Sequence, residues 1–256
     1  MNAPILSIQD LQCHFGGLRA LDGASFEIAS KKVTGLIGPN GAGKTTLFNC
    51  ITGLVPKTAG KVLFKGQDIS GKTPDKITQQ GLIRTFQLAR GCPRMTVFEH
   101  LMLYGRKQFG EGVLAGLISG SRVRREEQEL RERALSMARI LKLDHVLDNL
   151  VTDLSGGQKK LLEIGRALIS EPDMILLDEP MAGVNPALVE QIAEHLKVIR
   201  ARGVTVLLIE HEMALIEQLC DEVVVMAAGK FLTRGSFKDV ASNKTVQEAY
   251  LGMKRS

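Results

Sequence analysis

The chain has 256 residues, 44% hydrophobic and 24% charged, with a formal net charge of +5. This length buries a sizeable core in one large α/β domain or one domain with an inserted lobe, and the composition excludes a disordered or collagen-like chain. The longest apolar runs (174–177, 204–209 and 223–228) are strand-sized, which excludes a transmembrane helix and leaves only a peripheral membrane role.

The first five residues, Met1 to Ile5, lack a basic patch followed by an apolar core, so no export signal is expected. Cys13, Cys50, Cys92 and Cys220 form no Cys-x-x-Cys pair, which argues against a metal site or disulfide framework and suits a reducing compartment. With nine Phe, two Tyr and no Trp, no basic stripe is interleaved with aromatics, which argues against nucleic acid. The positive charge points instead to a phosphate-rich ligand or a membrane-facing surface.

Residues 5–12 and 24–28 alternate apolar and polar side chains, as half-buried antiparallel strands do. Phe15, in His14-Phe15-Gly16-Gly17, is either a stacking platform for an adenine or a core Phe at a strand end. The apolar run 33–37 then enters Gly38-Pro39-Asn40-Gly41-Ala42-Gly43-Lys44-Thr45-Thr46, after which Leu47, Phe48, Cys50 and Ile51 fall at helical spacing and Gly53 closes the helix. Gly38 to Thr45 fits G-x-x-x-x-G-K-[ST] in full, with the strand before and helix after that the phosphate-loop pattern requires. The backbone of this loop wraps phosphates, Lys44 reaches the β and γ phosphates, and the Thr45 hydroxyl is placed for Mg²⁺.

Residues 62–64 and 83–86 read as further strands, and Gln87 after the second is a candidate ligand for Mg²⁺ or a water. From Leu88 to Asp153 strand signals give way to helical ones. Val123, Leu130, Ala134, Met137 and Leu141 line one face of a stretch whose other face is Arg and Glu, so a helical insert is expected. The cluster Arg122-Val123-Arg124-Arg125 reads as the solvated face of that helix, and 110–120 fits either a short helix or a loop.

Ser155 is placed as the N-cap of a helix that runs to about Ser170 and stops before Pro172. Gly156 and Gly157, followed by Gln158, let backbone N–H groups approach an anion at the positive end of that helix. One nucleoside triphosphate needs one phosphate cradle, and a second cradle on the same chain invites a partner chain. The strand 174–177 ends in Asp178-Glu179, at the carboxyl rim where parallel strands present ligands. There Asp178 can hold Mg²⁺ through water and Glu179 can orient or deprotonate an attacking water. Pro186 opens a helix with Leu188, Ile192, Leu196 and Ile199 as its buried stripe and Gly203 as its C-cap. The strand 204–209 then delivers His211 to the same rim, a position that favours a γ-phosphate contact. A short helix over 213–219, a strand over 222–227 and two short helices over 237–252 complete an alternation that implies a parallel sheet with helices on its faces.

In this order the pieces resemble the nucleotide-binding subunits of ABC transporters over nearly the whole chain. Phe15 falls at the adenine-stacking position, 38–45 at Walker A, Gln87 at the Q-loop, Leu154-Ser155-Gly156-Gly157-Gln158 at the family motif, 174–179 at Walker B and His211 at the switch histidine. The resemblance implies an α/β P-loop fold with a mostly parallel sheet core, an N-terminal antiparallel β-subdomain and an inserted α-helical subdomain. Residues 5–87 with 154–236 would form the ATP-binding core, 88–153 the helical subdomain and 237–256 a helical tail. It also implies ATP and Mg²⁺ as ligands, ATP hydrolysis, and a head-to-tail dimer with ATP between one chain's Walker A and its partner's Ser155 to Gln158. A coiled-coil DNA-repair ATPase, a tandem translation factor and a GTP switch protein all fit these features less well.

The runs 179–186 and 208–213, with the ending Ala249-Tyr250-Leu251-Gly252, are similar to the LivG type of branched-chain amino acid importer. That type implies membrane permeases, a second related ATPase in a heterodimer (a homodimer being the alternative), an indirect solute-binding protein, and a cytoplasmic location on the inner face of the plasma membrane. Urea, amide and lipopolysaccharide systems and non-transport assembly ATPases are the neighbouring alternatives. One departure stands out: Asn185 occupies a partner-facing position where the wider family usually has Asp.

Overall fold

Two twelve-residue strands, β1 (Pro4–Phe15) and β2 (Leu18–Ala29), pair antiparallel. Together with β4 (Ala59–Phe64) and β5 (Gln67–Asp68) they form a sheet of order β2-β1-β4-β5. The structure is a computed structural model that describes residues 3–85, 93–105 and 120–251, the first four of the last stretch by backbone alone. The alternation along β1 changes phase midway: Leu6 and Ile8 are buried, then Leu11 and Cys13. A register shift between Ile8 and Leu11, with Asp10 at φ 46°, swallows one residue, and all four side chains reach the same core.

The second sheet comprises β3 (Val33–Ile37), β6 (Leu82–Arg84), β7 (Met174–Asp178), β8 (Thr205–Ile209), β9 (Glu222–Ala227) and β10 (Lys230–Gly235) in the order β10-β9-β3-β8-β7-β6. Every pairing is parallel except that of β10 with β9. Both faces are covered, which is why these strands read as continuous apolar runs. Leu36, Leu207, Ile209, Val224 and Met226 pack with Leu47, Phe48 and Ile51 of α1 (Lys44–Ile51) and with the first sheet. On the opposite face Ile37, Val223 and Val225 pack against Ile216, Val240 and Val246.

Chain contacts group the residues into two compact units, one of 1–84, 173–182 and 196–256 and one of 85–172 and 183–195. The first unit holds both sheets, α1, α2 (Pro74–Gln79), α7 (Met213–Leu219), α8 (Phe237–Ser242) and α9 (Lys244–Leu251). The second is helical, built on α3 (Val97–Leu103), α4 (Gly120–Ile140), α5 (Gly156–Ile169) and the first ten residues of α6 (Pro186–Ala201). Leu130, Ala134, Met137 and Leu141 are buried, as the periodicity of that stretch requires, and α3, α4 and α5 touch one another pairwise.

The expected strand 83–86 is observed as Leu82–Arg84; Phe86 and Gln87 lie outside the described residues, as do Cys92 and 110–119. Three described elements were not expected from the sequence: β5, α2, whose Thr73-Pro74-Asp75 helix start was overlooked, and β10. The hairpin into β10 turns at Ala228 and Gly229 with φ 47° and 75°, and an alanine in the left-handed region does not advertise a turn.

Candidate functional site

Because β3, β8 and β7 are parallel neighbours, their carboxyl ends share one edge of the sheet, and the chemistry-bearing residues collect there. From β3 the chain enters the loop 38–43. A Cβ on Gly38 would lie 2.1 Å from the Met226 carbonyl oxygen, so the backbone passes where only glycine fits. Gly43 caps α1 at φ 95° with no side-chain cap, leaving the first-turn N–H groups of the helix to an external acceptor. The side chain of Lys44 is buried and its Nζ donates to the Gly38 and Pro39 carbonyls at 2.7 and 3.1 Å. Burial lowers the Lys44 pKa, and the charges of Glu179 and Asp178 oppose that shift.

Asp178 closes β7, where its Oδ2 accepts from Arg84 Nη2 at 2.7 Å. Arg84 sits at the end of β6, donates its Nη1 to Asn49 Oδ1 at 2.5 Å, and lies over the Phe48 ring, so one guanidinium ties β7 to α1. Sequence reading missed Arg84. Its signal was a charge ending an apolar strand, in register with Leu176 of β7.

Glu179 leaves the strand at φ 48°, its N–H donating to the Ile209 carbonyl at 3.0 Å. Its Oε1 lies 2.6 Å from His211 Nε2, and since a carboxylate only accepts, the imidazole nitrogen is the donor. The structure thus joins the two residues that sequence reading had placed separately on the same rim. Glu210, between β8 and His211, is buried and accepts from the Met181 and His211 N–H groups. Burial pushes its carboxyl pKa up, and those two hydrogen bonds pull it back. Tyr250 is a second residue missed: it packs on the cluster around Ile37, the last residue of β3 before the phosphate loop.

Phe15 is 50% exposed at the end of β1, so the alternative of a core Phe does not hold. In the helical unit Ser155 is the N-cap of α5. Its Oγ accepts from Gln158 N at 3.2 Å while Gln158 Oε1 accepts from Ser155 N at 2.9 Å, a reciprocal capping box. Asn185 Oδ1 accepts from Leu188 N at 2.9 Å and so caps α6. Among the described residues no cluster of three His, Cys, Asp or Glu could hold a metal. The oxygen donors present at the phosphate loop, the Thr45 hydroxyl and the Asp178 carboxylate, suit Mg²⁺, which binds through one or two protein oxygens plus water and phosphate.

A phosphate loop between a parallel strand and a helix, with a carboxylate pair on a neighbouring strand end, defines a P-loop nucleoside triphosphatase. Residues 21–182 match the ABC transporter family, and the chain belongs to it, as an ATP-binding subunit with the ATPase activity of that family. It is 38% identical to the probable branched-chain amino acid transport ATP-binding protein LivG of Archaeoglobus fulgidus, over 98% of this chain and 97% of the relative. It is 37% identical to the high-affinity branched-chain amino acid transport ATP-binding protein LivG of Escherichia coli, over 98% and 99%. The structure of an ATP-binding cassette of an ABC transporter in its ADP conformation superposes with a TM-score of 0.83 at 38% identity, covering 98% of this chain and all of that one. A nucleotide-free cassette gives a TM-score of 0.82 at 38% identity, over 97% and 99%. Among the described residues no helix is long and apolar enough to cross a membrane.

Proposed function

We propose that this chain is the ATPase subunit of a branched-chain amino acid importer, peripheral on the cytoplasmic face of the membrane. The chemistry rests on one observation above the others: Glu179 and His211, at the ends of adjacent parallel strands, meet at 2.6 Å. The solute class rests on likeness to LivG. Membrane permeases, a second related ATPase and, indirectly, a solute-binding protein are its partners. Divided by motif order, 5–87 with 154–236 bind ATP, 88–153 are the helical part and 237–256 the tail.

The loop from Gly38 through Pro39, Asn40, Gly41, Ala42 and Gly43 to Thr46 wraps the phosphates, and the Lys44 ammonium turns from the loop carbonyls to the β and γ oxygens. Phe15 stacks on the adenine. Thr45, Asp178 and Gln87 would hold a Mg²⁺, which would supply charge neutralisation at the phosphates. Glu179 takes the proton of the attacking water, and His211 holds the Glu179 carboxylate while contacting the γ-phosphate. No covalent intermediate is needed, because positioning and charge stabilisation suffice for phosphoryl transfer to water. Ser155, Gly156, Gly157 and Gln158 grip the ATP of a partner chain. Gly156 supports that role: a Cβ there meets nothing within 4 Å, so packing within the chain does not explain the glycine at the helix start.

Glu179→Gln tests the reading. The amide still hydrogen-bonds water but cannot accept its proton, so the assembled transporter is expected to bind ATP normally and to lose nearly all turnover. Steady-state hydrolysis at the unsubstituted rate would remove Glu179 from the role.

A further inference from the structure

The Glu210 carboxyl is buried where two loops leave the sheet. Its Oε1 accepts the Met181 N–H at 3.1 Å, on the loop that carries Glu179. Its Oε2 accepts the His211 N–H at 3.2 Å, on the loop after β8. A buried carboxyl is costly unless its oxygens are used, and here each oxygen is used on a different loop. The strap bridges the segments whose side chains form the 2.6 Å contact between Glu179 and His211. Upstream of it the loops are joined by the Glu179 N–H to Ile209 carbonyl bond, which anchors backbone at the strand ends but leaves Met181 and His211 beyond its reach.

We infer that Glu210 is a positioning residue whose carboxylate straps the Glu179 loop to the His211 loop and thereby sets the geometry of the pair that activates water. This rests on the roles given above to Glu179 and His211. Glutamine at 210 keeps the volume but offers one acceptor and sets an NH₂ group against a backbone N–H. Aspartate keeps the charge but falls one methylene short of spanning both loops.

The test is steady-state ATPase kinetics of the transporter assembled with its permeases, with melting midpoints measured alongside. Glu210→Gln and Glu210→Asp are each expected to lower kcat roughly ten- to hundred-fold, the scale of a misplaced reacting group, with KM for ATP close to that of the unsubstituted assembly and the melting midpoint lowered by only a few degrees, the cost of one unpaired buried N–H. Added to His211→Ala, Glu210→Gln is expected to cost less than about twofold more, because the Glu179–His211 geometry that Glu210 sets is already lost. An unchanged kcat, losses that multiply in the double variant, or a joint collapse of KM and melting midpoint would each overturn the inference. Unimpaired hydrolysis by both Glu179→Gln and His211→Ala would overturn the roles of the pair itself, an outcome visible in the single variants without reference to Glu210.

Discussion

Lys44 shows how one side chain is prepared for a ligand. Its ammonium is held out of water by two loop carbonyls, and burial already weakens its hold on the proton, so the gain from meeting phosphate oxygens is large. Lys44→Ala is expected to weaken ATP binding by about 2–5 kcal/mol, as for truncating one partner of a buried charge pair, measured by calorimetry. Arg84 and Glu210 act at the same scale on the groups at the strand ends, Arg84 on Asp178 and Asn49 and Glu210 on two backbone N–H groups. Both were illegible beforehand because an Arg at a strand end or a Glu before a histidine takes its meaning from the element it reaches. Arg84 reaches Asp178 and Asn49 across 94 and 35 positions of chain.

Helix α5 begins with a capping box at the residues proposed to meet a partner's nucleotide. Its capping box satisfies orphan N–H groups, so Ser155→Ala is expected to cost about 1 kcal/mol in stability through the lost cap, read from denaturant midpoints. The larger Ser155→Arg is expected to leave ATP binding by the same chain intact and to stop hydrolysis, since the helix start would no longer accept a partner's nucleotide. Full-rate hydrolysis by the Arg variant would discard the two-chain site. The cap of α6 explains how Asn185 is tolerated: Asn and Asp cap about equally well, so Asn185→Asp is expected to leave the melting midpoint unchanged.

One part of the molecule's response to pH lies in His195 of α6, which is buried. Burial first and the Lys142 charge second hold its pKa below the usual 6.5, against the pull of Glu194. The unfolded chain therefore binds more protons than the folded one as pH falls through 6.5, so this stabilisation is complete above that pH and is lost on acidification. Urea midpoints between pH 7.5 and 5.5 should fall more steeply for the natural chain than for His195→Asn, and equal slopes would clear His195 of the effect. Glu210, raised by burial, shifts stability in the opposite sense, which is why the comparison is made at constant Glu210. At the level of assembly, co-expression with a neighbouring ATPase gene and permeases is expected to yield one copy of each ATPase by native mass measurement. Two copies of this chain with no second ATPase would refute the heterodimer alone.

The phosphate loop, the family motif and the carboxylate pair were legible in the sequence because each is contiguous: a few adjacent residues and their flanking periodicity carry the whole signal. Helices over 156–169, 186–201 and 213–219 and strands over 174–178 and 222–227 were legible for the same reason, since caps, prolines and apolar runs act locally. Tertiary structure alone decided the order β10-β9-β3-β8-β7-β6, and with it which strand ends meet. It also decided the phase change in β1, the Ala228–Gly229 hairpin, the Arg84 tie and the contact between Glu179 and His211. Each of these depends on which residues become neighbours across the sheet, and a pairing energy between positions 32 residues apart leaves no mark at either one until the strands are laid side by side.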